Sequence, residues 1–246
     1  MSEKVESINP YSQNGPKGEA VRRMFNSIAP AYDLMNRLMS LGLDRVWRRR
    51  LVREVSAVGP VRILDVATGT GDVAIDMARA VPGAVITGID LSEGMIDIGR
   101  KKIEAAGLAR RISLQCGDAL ALPFDDAAFD VVTVAYGVRN FADLHAGYAE
   151  MARVLRPGGK LIVLELTTPR SWFMRPLYAL YTRIAVPLVG LLISRDSDAY
   201  SYLPRSIRAV PAREAMTAIM DGPMLHNARY ASLFPGVCAV YTATRR

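Results

Sequence analysis

The chain has 246 residues, half of them hydrophobic and 22% charged, with a net charge of +7. That is enough for one globular domain with a sizeable core. Cys116 and Cys238 lie far apart behind no secretory leader and read as reduced core residues of a cytoplasmic protein, and with His145 and His226 alone, no metal site is expected.

Residues 1–18, rich in Gly, Pro, Ser and Asn, read as a flexible tail before a single domain over 19–246. From Glu19 the pattern is helical: Val21, Met24, Phe25 and Ile28 share a face, and Pro30 stops the run. Tyr32 to Ser40 follows, then Gly42 and a basic helix from Asp44 to about Val55, so 19–58 forms an N-terminal helical cap. It is either a packed layer or a flap with Tyr32 and Asp33 facing inward. Much of the charge excess sits in Arg45, Arg48, Arg49, Arg50 and Arg53. No aromatic residues alternate with them as a single-strand groove requires, so nucleic acid is not expected as a partner and an anionic membrane surface is.

Ile63-Leu64-Asp65-Val66 is a strand running into Ala67-Thr68-Gly69-Thr70-Gly71-Asp72, after which Val73 to Arg79 is helical. Gly69 and Gly71 let the backbone turn sharply and approach a ligand, and the helix aims its free N–H groups at whatever lies over the turn. Past the carboxyl end of a parallel strand, this is where nucleotide-like ligands bind. Asp65 and Asp72 would repel a pyrophosphate and attract the cationic amino-acid end of S-adenosylmethionine. The bland reading is a tight strand-to-helix turn with no ligand.

The second strand, Val85–Asp90, ends nineteen residues after Gly71 in a carboxylate suited to two ribose hydroxyls. Ser92 is an N-cap for the helix to Ala106. Strand three, Ile112–Cys116, leads into Asp118-Ala119, where the acid can accept the adenine amino group's hydrogen bond and Leu120 and Phe124 cover the ring. Strand four, Phe129–Ala135, is nearly all apolar, as a strand buried on both faces must be. Tyr136-Gly137-Val138-Arg139-Asn140 follows at the functional edge, then a helix over 143–155, a Pro157-Gly158-Gly159 turn and strand five, Lys160–Glu165. Alternating strands and helices with the Gly- and Asp-rich loops on one edge predict an α/β doubly wound sheet.

Trp172 to Ile193 is apolar but for Arg175, Thr182 and Arg183, and carries prolines at 176 and 187. Arg183 near its middle argues against a membrane span, and 171–205 is expected to be a helical insertion that covers a hydrophobic site. A polar stretch over 195–202, a helix after Pro211 and a β-hairpin (224–233 and 237–244) complete the sheet with one antiparallel strand.

These residues resemble a known family. Tyr32-Asp33-x-Met35-Asn36-x-x-Met39-Ser40 with Trp47, and Arg153-Val154-Leu155-Arg156-Pro157-Gly158-Gly159-Lys160 running on to Glu165, are similar to the two signatures of the C-methyltransferases of menaquinone and ubiquinone biosynthesis. Tyr136 to Asn140 is similar to the loop between them. There are departures: Asp44 stands for a histidine, Arg156 for lysine, Thr167 for serine, Ala135 for a serine cofactor contact, and the segment 221–226 lacks the usual Ala-Gly-Phe.

The resemblance implies a class I S-adenosylmethionine-dependent methyltransferase with a mostly parallel, seven-stranded, Rossmann-like sheet. Asp65, Gly69, Thr70, Gly71, Asp90, Asp118 and Ala119 would bind the cofactor. Ring methylation needs a phenolate, which Arg139 would stabilise while Tyr136 or Asp33 orients the hydroxyl. Arg139 could instead be an ion pair that only shapes the loop. The expected partners are a polyprenyl quinol, demethylmenaquinol before a ubiquinone precursor, peripheral contact with the inner face of the cytoplasmic membrane, and a second copy as a homodimer. A nicotinamide oxidoreductase and a non-catalytic membrane-surface protein are the competing classes.

Overall fold

A computed structural model describes residues 4–11, 15–59, 61–193 and 197–246. Its centre is a seven-stranded sheet in the order β3-β2-β1-β4-β5-β7-β6, with β1 Arg62–Val66, β2 Val85–Asp90, β3 Ile112–Cys116, β4 Phe129–Ala135, β5 Leu155–Leu166, β6 Leu225–Leu233 and β7 Cys238–Arg245. β1 to β5 pair in parallel; β7 is antiparallel to both of its neighbours. Period-two alternation divides each inner strand between two cores. Leu64, Val132 and Val163 meet the helices α6 (Leu144–Val154) and α9 (Glu214–Met220) on one face. Ile63, Val131 and Ile162 meet α3 (Leu43–Ser56), α4 (Asp72–Ala80) and α5 (Glu93–Ala105) on the other.

A third cluster joins α1 (Lys17–Ile28), α2 (Tyr32–Met39), Met95 of α5 and Tyr202 of α8 (Ser197–Ala209) over the carboxyl ends of the strands. The apolar run is one helix, α7 (Met174–Ile193), packed along α2. Among the described residues no helix is long and apolar enough to cross a membrane.

Four local expectations are corrected. The stretch read as a tail contains a short turn of helix, Val5–Ser7, with Val5 and Ile8 buried, and α1 begins at Lys17. Strand five starts at Leu155 because Pro157-Gly158-Gly159 is a bulge absorbed within the β4–β5 pairing. The described part of the polar stretch, from Ser197, is helical and buries Tyr202. Cys116 is exposed rather than core, while Cys238 is buried, and neither forms a disulfide.

Candidate active site

Two adjoining chambers open at the carboxyl edge of the sheet, of about 620 and 310 Å³. Both are lined by Tyr32, Ala67, Gly69, Ala135 and Tyr136, which form their common wall. The backbone there is unusual. Ala67 (φ +53°) and Tyr136 (φ +58°), at the ends of neighbouring strands, are both left-handed without being glycine, and such conformations persist where the surroundings over-determine them. Gly69 (φ +56°) and Gly71 (φ +77°) complete the bend into α4.

The larger chamber holds the residues expected to meet a nucleoside. Asp90 lines it, with Oδ2 accepting from the Gly69 amide at 2.8 Å and Oδ1 from Ser92 N at 2.9 Å. Burial pushes this carboxyl above the usual range, against the pull of those N–H bonds. Asp118 and Ala119 also line the chamber, and Asp118 accepts from Leu120 N at 2.9 Å. Ile89, Leu91, Met95 and Leu120 supply apolar walls. An acid at the end of β2, an acid–alanine pair after β3 and apolar cover between them suit an adenosine.

The smaller chamber is lined by Asp65, the Gly69-Thr70 turn, Arg139 and tyrosines 178 and 181. Asp65 is buried, and its oxygens accept from Thr68 Oγ1 (2.7 Å) and Thr133 Oγ1 (2.6 Å). Burial pushes it up to about 6, opposed by the two hydroxyls.

Asp72 does not serve as the free acid that its sequence position suggested. Lys102 and Arg48 both bond it and hold its carboxyl below the ordinary value despite burial. Lys102 Nζ also donates to Thr70 Oγ1 (3.1 Å) and to Asp33 Oδ2 (2.7 Å), and Thr70 Oγ1 donates to Asp33 Oδ1 (2.6 Å). Asp33 and Thr70 thus tie the cap to the glycine turn, with their polar atoms largely spent on each other.

Arg139 is buried, and its guanidinium pairs with Glu165 Oε1 at 2.8 Å and with the Tyr136 carbonyl. Burial disfavours that charge, but Glu165 outweighs it and holds the cation. Its Nε has no partner among the described residues. The Tyr136 ring forms part of both chamber walls. Its phenol is pushed well above the usual value by burial and by Cys238 beside it.

Sequence reasoning missed Lys102 and gave Glu165 no role. Gly99 on α5 was the available signal for the first. A Cβ there would lie 2.6 Å from Leu114 and 3.2 Å from the Thr70 carbonyl carbon, so α5 runs close enough to the turn for Lys102 to reach it.

The sheet order and the loops gathered at its carboxyl edge define a Rossmann-like, class I S-adenosylmethionine-dependent methyltransferase fold. Solved structures share it. A SAM-dependent methyltransferase of Thermotoga maritima, a possible histamine N-methyltransferase, superposes with TM-score 0.63 at 17% identity, covering 92% of this chain and 99% of that one. The [4+2]-cyclase SpnF superposes with TM-score 0.63 at 21% identity, covering 94% and 97%. The chain belongs to the ubiE/COQ5 methyltransferase family, whose profile matches residues 13–245. It is 44% identical to a demethylmenaquinone methyltransferase of Bacteroides fragilis over 100% of both chains. It is 45% identical to one of Porphyromonas gingivalis, covering 96% of this chain and 97% of that one. A ubiquinone/menaquinone biosynthesis C-methyltransferase of Geotalea daltonii is 43% identical over 93% and 97%.

Proposed function

We propose that the chain methylates a ring carbon of a polyprenylated quinol, with demethylmenaquinol as substrate and S-adenosylmethionine as methyl donor. The carrying observation is the pair of chambers with one common wall, one marked by Asp90 and Asp118 and the other lined by Tyr178 and Tyr181. The two relatives named for the menaquinone step favour a naphthoquinol over the ubiquinone precursor. Family membership sets the nicotinamide alternative aside.

In this reading Asp90 takes the ribose hydroxyls, Asp118 and Ala119 the adenine edge, and Asp65 the ammonium group, while the Gly69-Thr70-Gly71 turn lies beneath. When bound, S-adenosylmethionine supplies an electrophilic methyl on a sulfonium. The protein's task is to hold a quinol hydroxyl as its anion, since a phenol keeps its proton to a pH of about 10. Arg139 lines the quinol chamber, and a guanidinium N–H turned toward that chamber would donate to the phenolate oxygen. Because Glu165 offsets its charge, that donation matters more than a bare positive field. Asp33 is committed to Thr70 and Lys102 and acts by fixing α2, and the Tyr136 ring shapes the common wall. Holding ring carbon and methyl at attack distance supplies much of the remaining acceleration.

The membrane reading gains exposed apolar side chains on α2 and α7, among them Leu34, Leu38, Leu177 and Leu180. Tyr181 of α7 hydrogen-bonds the Met39 carbonyl and lines the quinol chamber, so the chamber lies beside this surface. Of the five clustered arginines, Arg48 and Arg50 are ion-paired, which leaves Arg45, Arg49 and Arg53 exposed on one face of α3 for anionic headgroups. The homodimer remains a proposal supported only by the sequence reading.

The purified chain, given S-adenosylmethionine and reduced prenyl-naphthoquinone or prenyl-benzoquinone, should add one methyl to the naphthoquinol ring by mass spectrometry. Methylation of the benzoquinol alone would reverse the substrate assignment. Methylation of neither would remove the function.

A further inference from the structure

Lys17 stands at the first turn of α1, in a stretch expected to be a loose tail, and is among the residues lining the larger chamber. Its position is unfavourable three times over. The side chain is only 7% exposed, it sits at the positive end of a helix dipole, and Arg139 lies near it. Burial, the largest effect, and Arg139 lower the ammonium to about 8, while Glu6 on the Val5–Ser7 turn opposes them. A methionine would fill the same space without that cost, so the charge calls for a function.

Its partners supply one. Lys17 Nζ donates to the carbonyl of Val5 at 2.6 Å and to the carbonyl of Arg139 at 3.1 Å. Arg139 is therefore gripped from two directions. Glu165 of β5 holds its guanidinium and accepts from its backbone N–H at 3.3 Å, and Lys17 of the cap holds its C=O. The turn Val138–Asn140 that carries Arg139 also receives Tyr202 of α8, whose hydroxyl donates to Asn140 Oδ1 at 3.0 Å. Gly137 and Asn140 line the larger chamber and Arg139 the smaller, so this turn is a partition between them.

We propose that Lys17 is a positioning residue for methyl transfer, clamping the Arg139 carbonyl so that the turn between the chambers holds the Arg139 side chain where the quinol anion forms. The kinetic part rests on the quinol reading; the clamp itself does not. It assigns a task to the N-terminal segment as well, because Val5 is the second anchor of the same ammonium.

The test is Lys17→Met in the full chain. Expected are a kcat on the reduced naphthoquinol at least tenfold lower, a KM and an S-adenosylhomocysteine Kd within threefold of wild type, and a Tm lowered by only a few degrees, since the carbonyls of Val5 and Arg139 lose their buried donor. Amide hydrogen exchange across residues 137–141 should speed up at least tenfold. Wild-type kcat in the variant, or a loss of activity matched by equal losses in cofactor affinity and Tm, overturns the proposal. So does unchanged exchange in the turn, and that arm decides even if the wild-type chain methylates no quinol. Should Lys17→Met be recovered unfolded, Lys17→Gln under the same measurements decides.

Discussion

Replacing Asp90 by alanine probes the cofactor site most directly. The carboxylate at the end of β2 accepts from Gly69 N at 2.8 Å and Ser92 N at 2.9 Å while lining the larger chamber. It therefore has two tasks: it pins the glycine turn to the start of α5, and it receives the ribose. A hydrogen bond to a charged group contributes about 1.5–3 kcal/mol, so loss of the ribose contact weakens cofactor binding about ten- to a hundredfold. The two backbone bonds vanish with it, so stability should fall by about 1–3 kcal/mol as well. Titration calorimetry with S-adenosylhomocysteine, at a temperature where melting curves show the variant folded, separates the two. Asp90→Asn is the control, since its amide oxygen can still accept from one backbone N–H. A folded Asp90→Ala variant that binds S-adenosylhomocysteine like wild type would refute the placement of the nucleoside in this chamber, and with it the assignment of Asp118 and Ala119.

Asp65, pushed up to about 6 by burial, should make cofactor affinity pH-dependent. Below that pH it is neutral and attracts the ammonium less, so Kd should rise about fivefold from pH 6 down to pH 5, and Asp65→Asn should flatten the profile. The sign for stability is opposite: the folded state holds this proton more tightly than the unfolded one, so the contribution is full below about pH 4 and is lost as pH rises through 6. Arg139→Ala should cut kcat by about a hundredfold or more, but it also strands Glu165 at a cost of about 3–5 kcal/mol. The double change Arg139→Met with Glu165→Leu removes both charges, and unchanged turnover in it would deny Arg139 any chemical role. Leu177→Asp with Leu180→Asp, at side chains 58% and 57% exposed, should leave the fold intact and weaken pelleting with anionic liposomes. Activity on a long-tailed quinol should then fall at least tenfold more than on a tail-less one, and equal losses would count against the membrane-facing surface.

The parallel half of the sheet was readable because strands buried on both faces are mostly apolar, as Val131, Val132 and Val134 are, and because Gly- and Asp-rich loops follow β1, β2 and β3 on one edge. The family resemblance added the two signatures, the first of which carries Asp33, and the loop between them that carries Arg139. What escaped was decided by contacts between distant segments. Gly99 marks a close approach of α5 but does not say that Lys102 meets Asp33 and Asp72, and Asp72 looks like a free acid until Arg48 and Lys102 are set beside it. Val5 and Ile8 hide in a composition typical of loose chain, because two apolar residues among Pro, Ser and Asn give no periodicity to read. Strand five was cut short because a Pro-Gly-Gly turn signal and a Pro-Gly-Gly bulge look alike until the neighbouring strand is known.

The place of β7 in the sheet has a consequence for biosynthesis. β6 leaves the ribosome first, yet it joins the sheet only through β7, the later strand, which inserts between β5 and β6. Until residues 238–245 have emerged, β5 presents an open edge with Leu161, Val163 and Leu164 still short of their final cover. An unpaired apolar edge is a template for wrong pairing. The β5 edge therefore stays open to wrong pairing for the whole interval in which residues 167–237 are made.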